Sequence, residues 1–173
     1  MFSALLRDIP ADRAGLVSLQ AGVAVANAID SAAGVATRLK WPNDVRLNER
    51  KVCGILGELA PGGDYVVIGI GVNVGNAEGE LPLTLDATSV RIAAGEPPRR
   101  DDLCVAILRE LDGLVVGEGW LEEYRRRCDT VGSRVRVELG EEQFEGLASE
   151  VRTDGALVVD GRAVLAGDVV HVR

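Results

Sequence analysis

The chain has 173 residues with 19 basic and 27 acidic side chains, a net charge of −8, and 47% hydrophobic residues. That length suits one compact domain, or a small domain with an appendage, and allows a real core. The acidity excludes a general nucleic-acid binder, which needs a basic face for phosphate, and the single histidine, His171, leaves no basis for a Ser-His-Asp or Cys-His triad.

In chain order, the apolar run 2–6 reads as a strand that begins abruptly at the start of the chain, a hint that something upstream is absent. Pro10-Ala11-Asp12 opens a helix of about two dozen residues with Asp12 as N-cap and Gly34 as its stop. Leu16, Leu19, Val23 and Ala26 or Asn27 form one stripe, and Val17, Ala21, Ala24 and Ala28 lie beside it. Segments 36–41, 51–59 and 65–74 are extended, separated by turns at Pro42-Asn43-Asp44 and Pro61-Gly62-Gly63-Asp64. The third is apolar on both faces and reads as a central strand. Residues 75–100 read as loop with a short helix near 87–94. A helix capped by Asp101 or Asp102 follows, then a helical piece over 120–128.

After Thr130 the period changes to two, through Val135, Val137, Phe144, Leu147, Leu157, Val159, Val164, Val169 and Val170. Gly132, Gly140, Gly146, Gly155, Gly161 and Gly167 punctuate these short strands, which predicts a small antiparallel barrel packed against the preceding part.

Cys53, Cys104 and Cys128 are odd in number and in no paired spacing, which points to a reduced, cytoplasmic protein without a zinc site or disulfide framework. No apolar run approaches the roughly 20 residues of a membrane helix, and no signal peptide opens the chain, so no membrane partner is expected.

Two polar constellations stand out. Lys40, Asn43 and Asp44, followed by Lys51 and Gly54, bracket a turn between two strands. Turn chemistry explains each singly; together they place Lys51 at a sheet rim, where its ammonium can meet a phosphate or carboxylate. Gly69-Ile70-Gly71-Val72-Asn73 is no dinucleotide fingerprint, because Val74 stands where the third glycine is needed. Its glycines either admit the Ala-rich helix or leave the strand open to a flat ligand, with Asn73 offering an amide. Glycine itself is in surplus, 21 residues against a usual ~7%.

Lys40-Trp41-Pro42-Asn43-Asp44-Val45, then Arg50-Lys51-Val52-Cys53-Gly54-Ile55-Leu56-Gly57-Glu58, then Val67 to Asn73 resemble biotin protein ligases in order and spacing, and the tail 131–173 resembles their terminal SH3-like barrel. The resemblance implies an α+β fold: part of a class-II-synthetase-like (biotin/lipoate ligase) catalytic domain over 1–129, with a small C-terminal SH3-like β-barrel over 130–173. It implies that biotin attacks the α-phosphate of ATP to give biotinyl-5′-adenylate, and that a lysine of a biotin carboxyl carrier domain then takes the acyl group. Lys51 is expected to contact the biotin carboxylate and adenylate as the main electrostatic catalyst, with Asp44 organising the site. Gly54, Leu56, Gly69 and Gly71 are expected to accommodate biotin; Lys40, Asn43 and Asn73 to meet ATP. Magnesium is expected with ATP, without a legible metal cluster. The family's Gly-Arg-rich loop, expected before Phe2, has no counterpart in these residues, which points to a front lost to a misplaced start and leaves the activity of the chain as written an open question. The alternatives are a truncated module that binds nucleotide or carrier without acyl transfer, and a lipoate ligase relative.

Overall fold

The computed structural model describes residues 1–82 and 86–172. The part of the expected 75–100 loop at 83–85 and the last residue of the expected barrel lie outside them. Five strands make the first sheet: β1 (Phe2–Arg7), β2 (Arg38–Lys40), β3 (Asp44–Leu47), β4 (Arg50–Leu59) and β5 (Tyr65–Val72). Their order is β1-β5-β4-β3-β2, every pair antiparallel. The extended run expected over 51–59 belongs to a hairpin whose first arm, β3, sequence reading missed. Asn48 and Glu49 turn it with φ of +50° and +64°, the left-handed pair that matches strand twist in a two-residue hairpin. Asparagine at 48 was the available signal.

The helix begins later than expected. Residues Ala11–Arg13 form a single tight turn, closed by Arg13 N–H donating to Pro10 O, and α1 runs Leu16–Ala33. Gly15 is the N-cap and no side chain caps it, so Asp12 is not the cap. Gly34 does stop the helix, with φ +64° and its N–H on Asp30 O. α1 is buried nearly all round, because the sheet covers one side and α3 (Arg100–Val116) the other. At 18 residues and mean hydropathy 1.3 it is long and apolar enough to cross a membrane, contrary to expectation, yet most of it is buried within the protein. Its one buried amide, Gln20, donates to Leu114 O at 3.0 Å, satisfying a group that would otherwise be costly.

The three remaining helices follow the same rules, two of them with shifted starts. α2 (Val90–Ala94) is capped by Ser89, whose hydroxyl accepts from Ile92 N–H. Arg99 is the N-cap of α3, and Asp101 and Asp102 lie inside its first turn, where carboxylates complement the helix dipole. α4 (Trp120–Arg127) ends at Cys128, as the sequence reading expected.

The C-terminal strands are β6 (Arg134–Leu139), β7 (Glu142–Val151), β8 (Leu157–Val159), β9 (Arg162–Val164) and β10 (Asp168–His171), in the order β10-β6-β7-β8-β9. They form the small SH3-like barrel that accompanies the α+β, class-II-synthetase-like part. Val135, Val137, Leu157, Val159, Val164 and Val169 point inward as expected. Leu147 and Val170 are exposed instead, and Ala148 and Val151 are buried. A register shift between Ala148 and Glu150 in β7 moves the inward phase by one residue. Gly146 lies within β7 rather than at a turn, where a Cβ would come within 2.8 Å of Val159 Cγ1.

Gly155 has φ +82°, and a Cβ there would lie 2.8 Å from Leu16 Cδ2. Gly155→Ala is expected to cost about 1–3 kcal/mol. Gly113 sits inside α3 with open space around it, so Gly113→Ala is expected to add about 0.5–1 kcal/mol. Thermal melts of both variants against wild type check the opposite signs.

Candidate functional site

The first sheet has one covered face and one open face, and strand alternation decides which residues meet each. Val66, Ile68 and Ile70 of β5 point to the core. Gly69 and Gly71 point the other way, so of the two readings of these glycines the one that admits the helix is ruled out. A Cβ on Gly69 would meet Leu56 O and Ser3 Oγ at 3.8 and 3.9 Å, and one on Gly71 would meet Gly54 O at 3.8 Å. The glycine that does face α1 is Gly57, whose Cβ would lie 2.5 Å from Ser18 Oγ.

Gly54 pairs with Gly71, and Leu56 with Gly69. The three glycines therefore form a contiguous strip of bare backbone on the open face. Leu56 stands at its side with 61% of its surface exposed, an apolar wall left unpartnered. Lys51 lies across the strip's end. A Cβ on Gly54 would come within 3.0 Å of Lys51 Cε and 3.1 Å of Nζ, so any other residue there would push the lysine's end out of this position. Asp44, paired with Gly54 across β3–β4, holds Lys51 Nζ at 2.5 Å. Its buried Oδ1 has no other donor among the described residues. This pair is half open to solvent and contributes little stability. Its effect is to fix where the ammonium sits.

Asn43 and Asn73 are both anchored. Asn43 Nδ2 donates to Ile55 O at 2.9 Å, and Ile55 N–H returns to Asn43 O. Asn73 Nδ2 donates to Thr88 O at 3.1 Å, while Thr88 N–H donates to Lys51 O and Asn73 N–H to Val52 O. These bonds hold the segment 86–90 against the start of β4, beside Lys51. Each amide keeps an Oδ1 and a second N–H for another partner.

Lys40 pairs with Asp44 across β2–β3. Both line a cleft of about 650 Å³ together with Lys51, and the barrel supplies its opposite wall through Ser133, Val170 and His171. Arg46, which pairs with Asp129 at 2.7 Å, also lines it. Sequence reading brought Lys40, Asp44, Lys51 and Gly54 together correctly and missed the barrel wall. His171 carried no usable signal there, because its neighbours in space are some 40 and 130 residues distant in sequence.

Burial pushes the Cys53 thiol up to about 12, with Asp44 adding to the rise and Lys51 opposing it. It is an inert core group rather than a nucleophile. Burial also lowers the His171 imidazole below its ordinary value; Asp129 opposes this, while Arg46 and Lys40 add to it. Among the described residues no three His, Cys, Asp or Glu side chains group as metal ligands.

The family model described as the Biotin/lipoate A/B protein ligase family matches residues 1–74. The chain is 39% identical to the biotin--[acetyl-CoA-carboxylase] ligase of Mycobacterium tuberculosis, over 96% of this chain and 66% of that protein. It is 33% identical to the biotin--[acetyl-CoA-carboxylase] ligase of Paracoccus denitrificans, over 87% of this chain and 68% of that protein. The alignments thus span about two thirds of the length of these relatives. The fold superposes on the biotin protein ligase from Aquifex aeolicus in complex with biotin and ATP with a TM-score of 0.81, at 25% identity, covering 99% of this chain and 77% of that one.

Because His171 is held below its unfolded value, the unfolded chain binds the extra proton more readily, and stability rises with pH. The contribution is complete above about pH 6.5 and is lost as pH falls below it. His171→Gln is expected to flatten the acid limb of the stability curve below about pH 6.5, which denaturant titrations on either side of that pH measure.

Proposed function

The chain belongs to the biotin protein ligase family, and on that premise we propose that it serves ATP-dependent ligation of biotin to a lysine of a biotin carboxyl carrier domain. The observation that carries this reading is the Lys51 ammonium, held by Asp44 at the end of a strip made of Gly54, Gly69 and Gly71. A flat, fused-ring ligand can lie on bare backbone where side chains would lift it away. Leu56 gives that ligand an apolar side, and Lys51 meets the carboxylate at its other end.

In the first step a carboxylate oxygen of biotin attacks the α-phosphorus of ATP. The bond to the bridging oxygen breaks, and pyrophosphate leaves with biotinyl-5′-adenylate remaining. In the second step the amine of the carrier lysine attacks the acyl carbon, AMP leaves, and the amine proton passes to solvent. Both transition states gather negative charge on oxygens near Lys51, so a fixed ammonium stabilises them more than the ground state. Lys40, which lines the same cleft as Lys51, faces the phosphates there. Asn43 and Asn73, already anchored through one N–H each, offer their remaining amide groups to the nucleotide. Magnesium enters as part of the nucleotide substrate, in keeping with its preference for phosphate oxygens and waters over a protein cage.

The same reading takes residues 1–129 as the catalytic part and 130–173 as the barrel. It takes the carrier domain of a carboxylase as the protein partner and the cytoplasm as the compartment, to which three unbridged cysteines are suited.

Incubation of the chain with biotin, Mg·ATP and a biotin carrier domain is expected to give labelled carrier, with no transfer from lipoate. Binding of biotin and ATP without transfer supports the truncated-module alternative, and transfer of lipoate in preference to biotin reverses the choice of substrate. Lys51→Ala, in a complete ligase carrying this segment, is expected to abolish adenylate formation while biotin binding weakens far less; near-full activity refutes the role given to Lys51. Gly71→Val is expected to leave the melting temperature within a few degrees, since its Cβ meets open space apart from Gly54 O. Biotin affinity should fall by about 100-fold or more, the equivalent of ~2.7 kcal/mol, as read by calorimetric titration.

A further inference from the structure

The hairpin that carries Lys40, Asn43 and Asp44 is gripped by the chain's C-terminal part at several points. Trp41 is 1% exposed. Its indole Nε1–H donates to Gly155 O of the barrel at 3.0 Å, and its backbone N–H donates to Thr130 Oγ1 at 3.0 Å. Thr130 is fully buried, and its Oγ1 also lies 3.3 Å from His171 Nε2 on β10. On the neighbouring residue, Asp129 N–H donates to Leu39 O at 2.9 Å, and Asp129 Oδ2 pairs with Arg46 Nη1 at 2.7 Å. These bonds flank the turn on both strands, one residue away from Lys40 and two from Asn43. None of them involves β4 or β5, where Gly54, Gly69 and Gly71 lie.

We propose that Trp41 and Thr130 are positioning residues for the nucleotide: the barrel uses them to hold Lys40 and Asn43 at the angle the phosphates and base require, and it leaves the biotin strip untouched. The inference rests on the functional reading above and deepens it. A hairpin without this grip retains β3–β4 pairing and therefore retains Asp44 against Lys51. What it loses is the fixed position of the turn, and a shift of about 1 Å at a charged contact is enough to weaken it strongly. Both side chains act through hydrogen bonds to buried partners, which are costly to leave unmade.

The test is calorimetric titration of the whole chain with Mg·ATP and, separately, with biotin, alongside thermal melts. Trp41→Phe retains most of the ring volume and removes the indole donor. Thr130→Val retains shape and removes the hydroxyl, and Thr130→Ser restores it. Trp41→Phe and Thr130→Val are expected to weaken Mg·ATP binding about ten-fold or more, with biotin affinity within about two-fold of wild type and Thr130→Ser close to wild type for both. If Thr130→Val does not fold, Trp41→Phe and Thr130→Ser carry the comparison. Folded variants that bind Mg·ATP as wild type does overturn the inference. Parallel losses for Mg·ATP and biotin overturn it too, because they mark a general structural role. A wild-type chain that binds biotin and Mg·ATP while the variants lose neither leaves the ligase reading standing without this refinement. A wild-type chain that binds no Mg·ATP removes the ligase reading, and the inference with it.

Discussion

The Lys51 ammonium lies flat across Gly54 because two independent requirements are met together. Position 54 has no Cβ to push the side chain away, and Asp44, its partner across the β3–β4 ladder, takes up the charge. A lysine on a sheet rim would ordinarily point into solvent and sample many rotamers. Here backbone shape and one carboxylate select a position beside the open glycine strip. The pair is too exposed to stabilise the fold much, so its consequence is electrostatic: a positive charge is fixed beside the open strip, where the proposed reaction brings a carboxylate and a phosphate together. Everything proposed for the site depends on that placement.

The placement in turn depends on a sheet with unlike faces. α1 needs close approach and obtains it through its alanines and through Gly22 and Gly57, which face Leu39 and Ser18 respectively. The opposite face carries Gly54, Gly69 and Gly71 together with exposed Leu5 and Leu56. Glycines therefore serve two purposes within a few residues of each other on β4: one admits a helix, the other leaves room for a ligand and a lysine. A strand with a period of two can separate these tasks cleanly.

The barrel is more than a neighbour of the first sheet. Thr130 and Gly155 accept hydrogen bonds from Trp41, and Arg125 Nε donates to Val151 O at 2.8 Å. His171 and Ser133 complete a cleft whose other wall is the Lys40 hairpin. A buried polar junction of this kind gives a defined relative orientation, since a slip would strand several donors and acceptors away from water.

The residues themselves determined a good deal. Period-two runs after Thr130, the glycine stop at Gly34, the strand expected over 65–74 (which ends at Val72) and the cluster of Lys40, Asn43, Asp44 and Lys51 were all legible, because each is a local pattern with a local cause. Local reading placed the first helix cap at Asp12 and gave Leu147 and Val170 to the barrel interior. A tight turn over 11–13 delays the helix to Leu16, and strand alternation turns Leu147, between buried Gly146 and Ala148, and Val170, beside buried Val169, to the exposed side. Which face of β5 its glycines occupy was open in the sequence, since alternation gives two faces and does not say which one α1 covers. The barrel wall of the cleft was invisible for the same reason at longer range: Trp41 and Gly155 are 114 residues apart. Only tertiary packing brings them within a hydrogen bond.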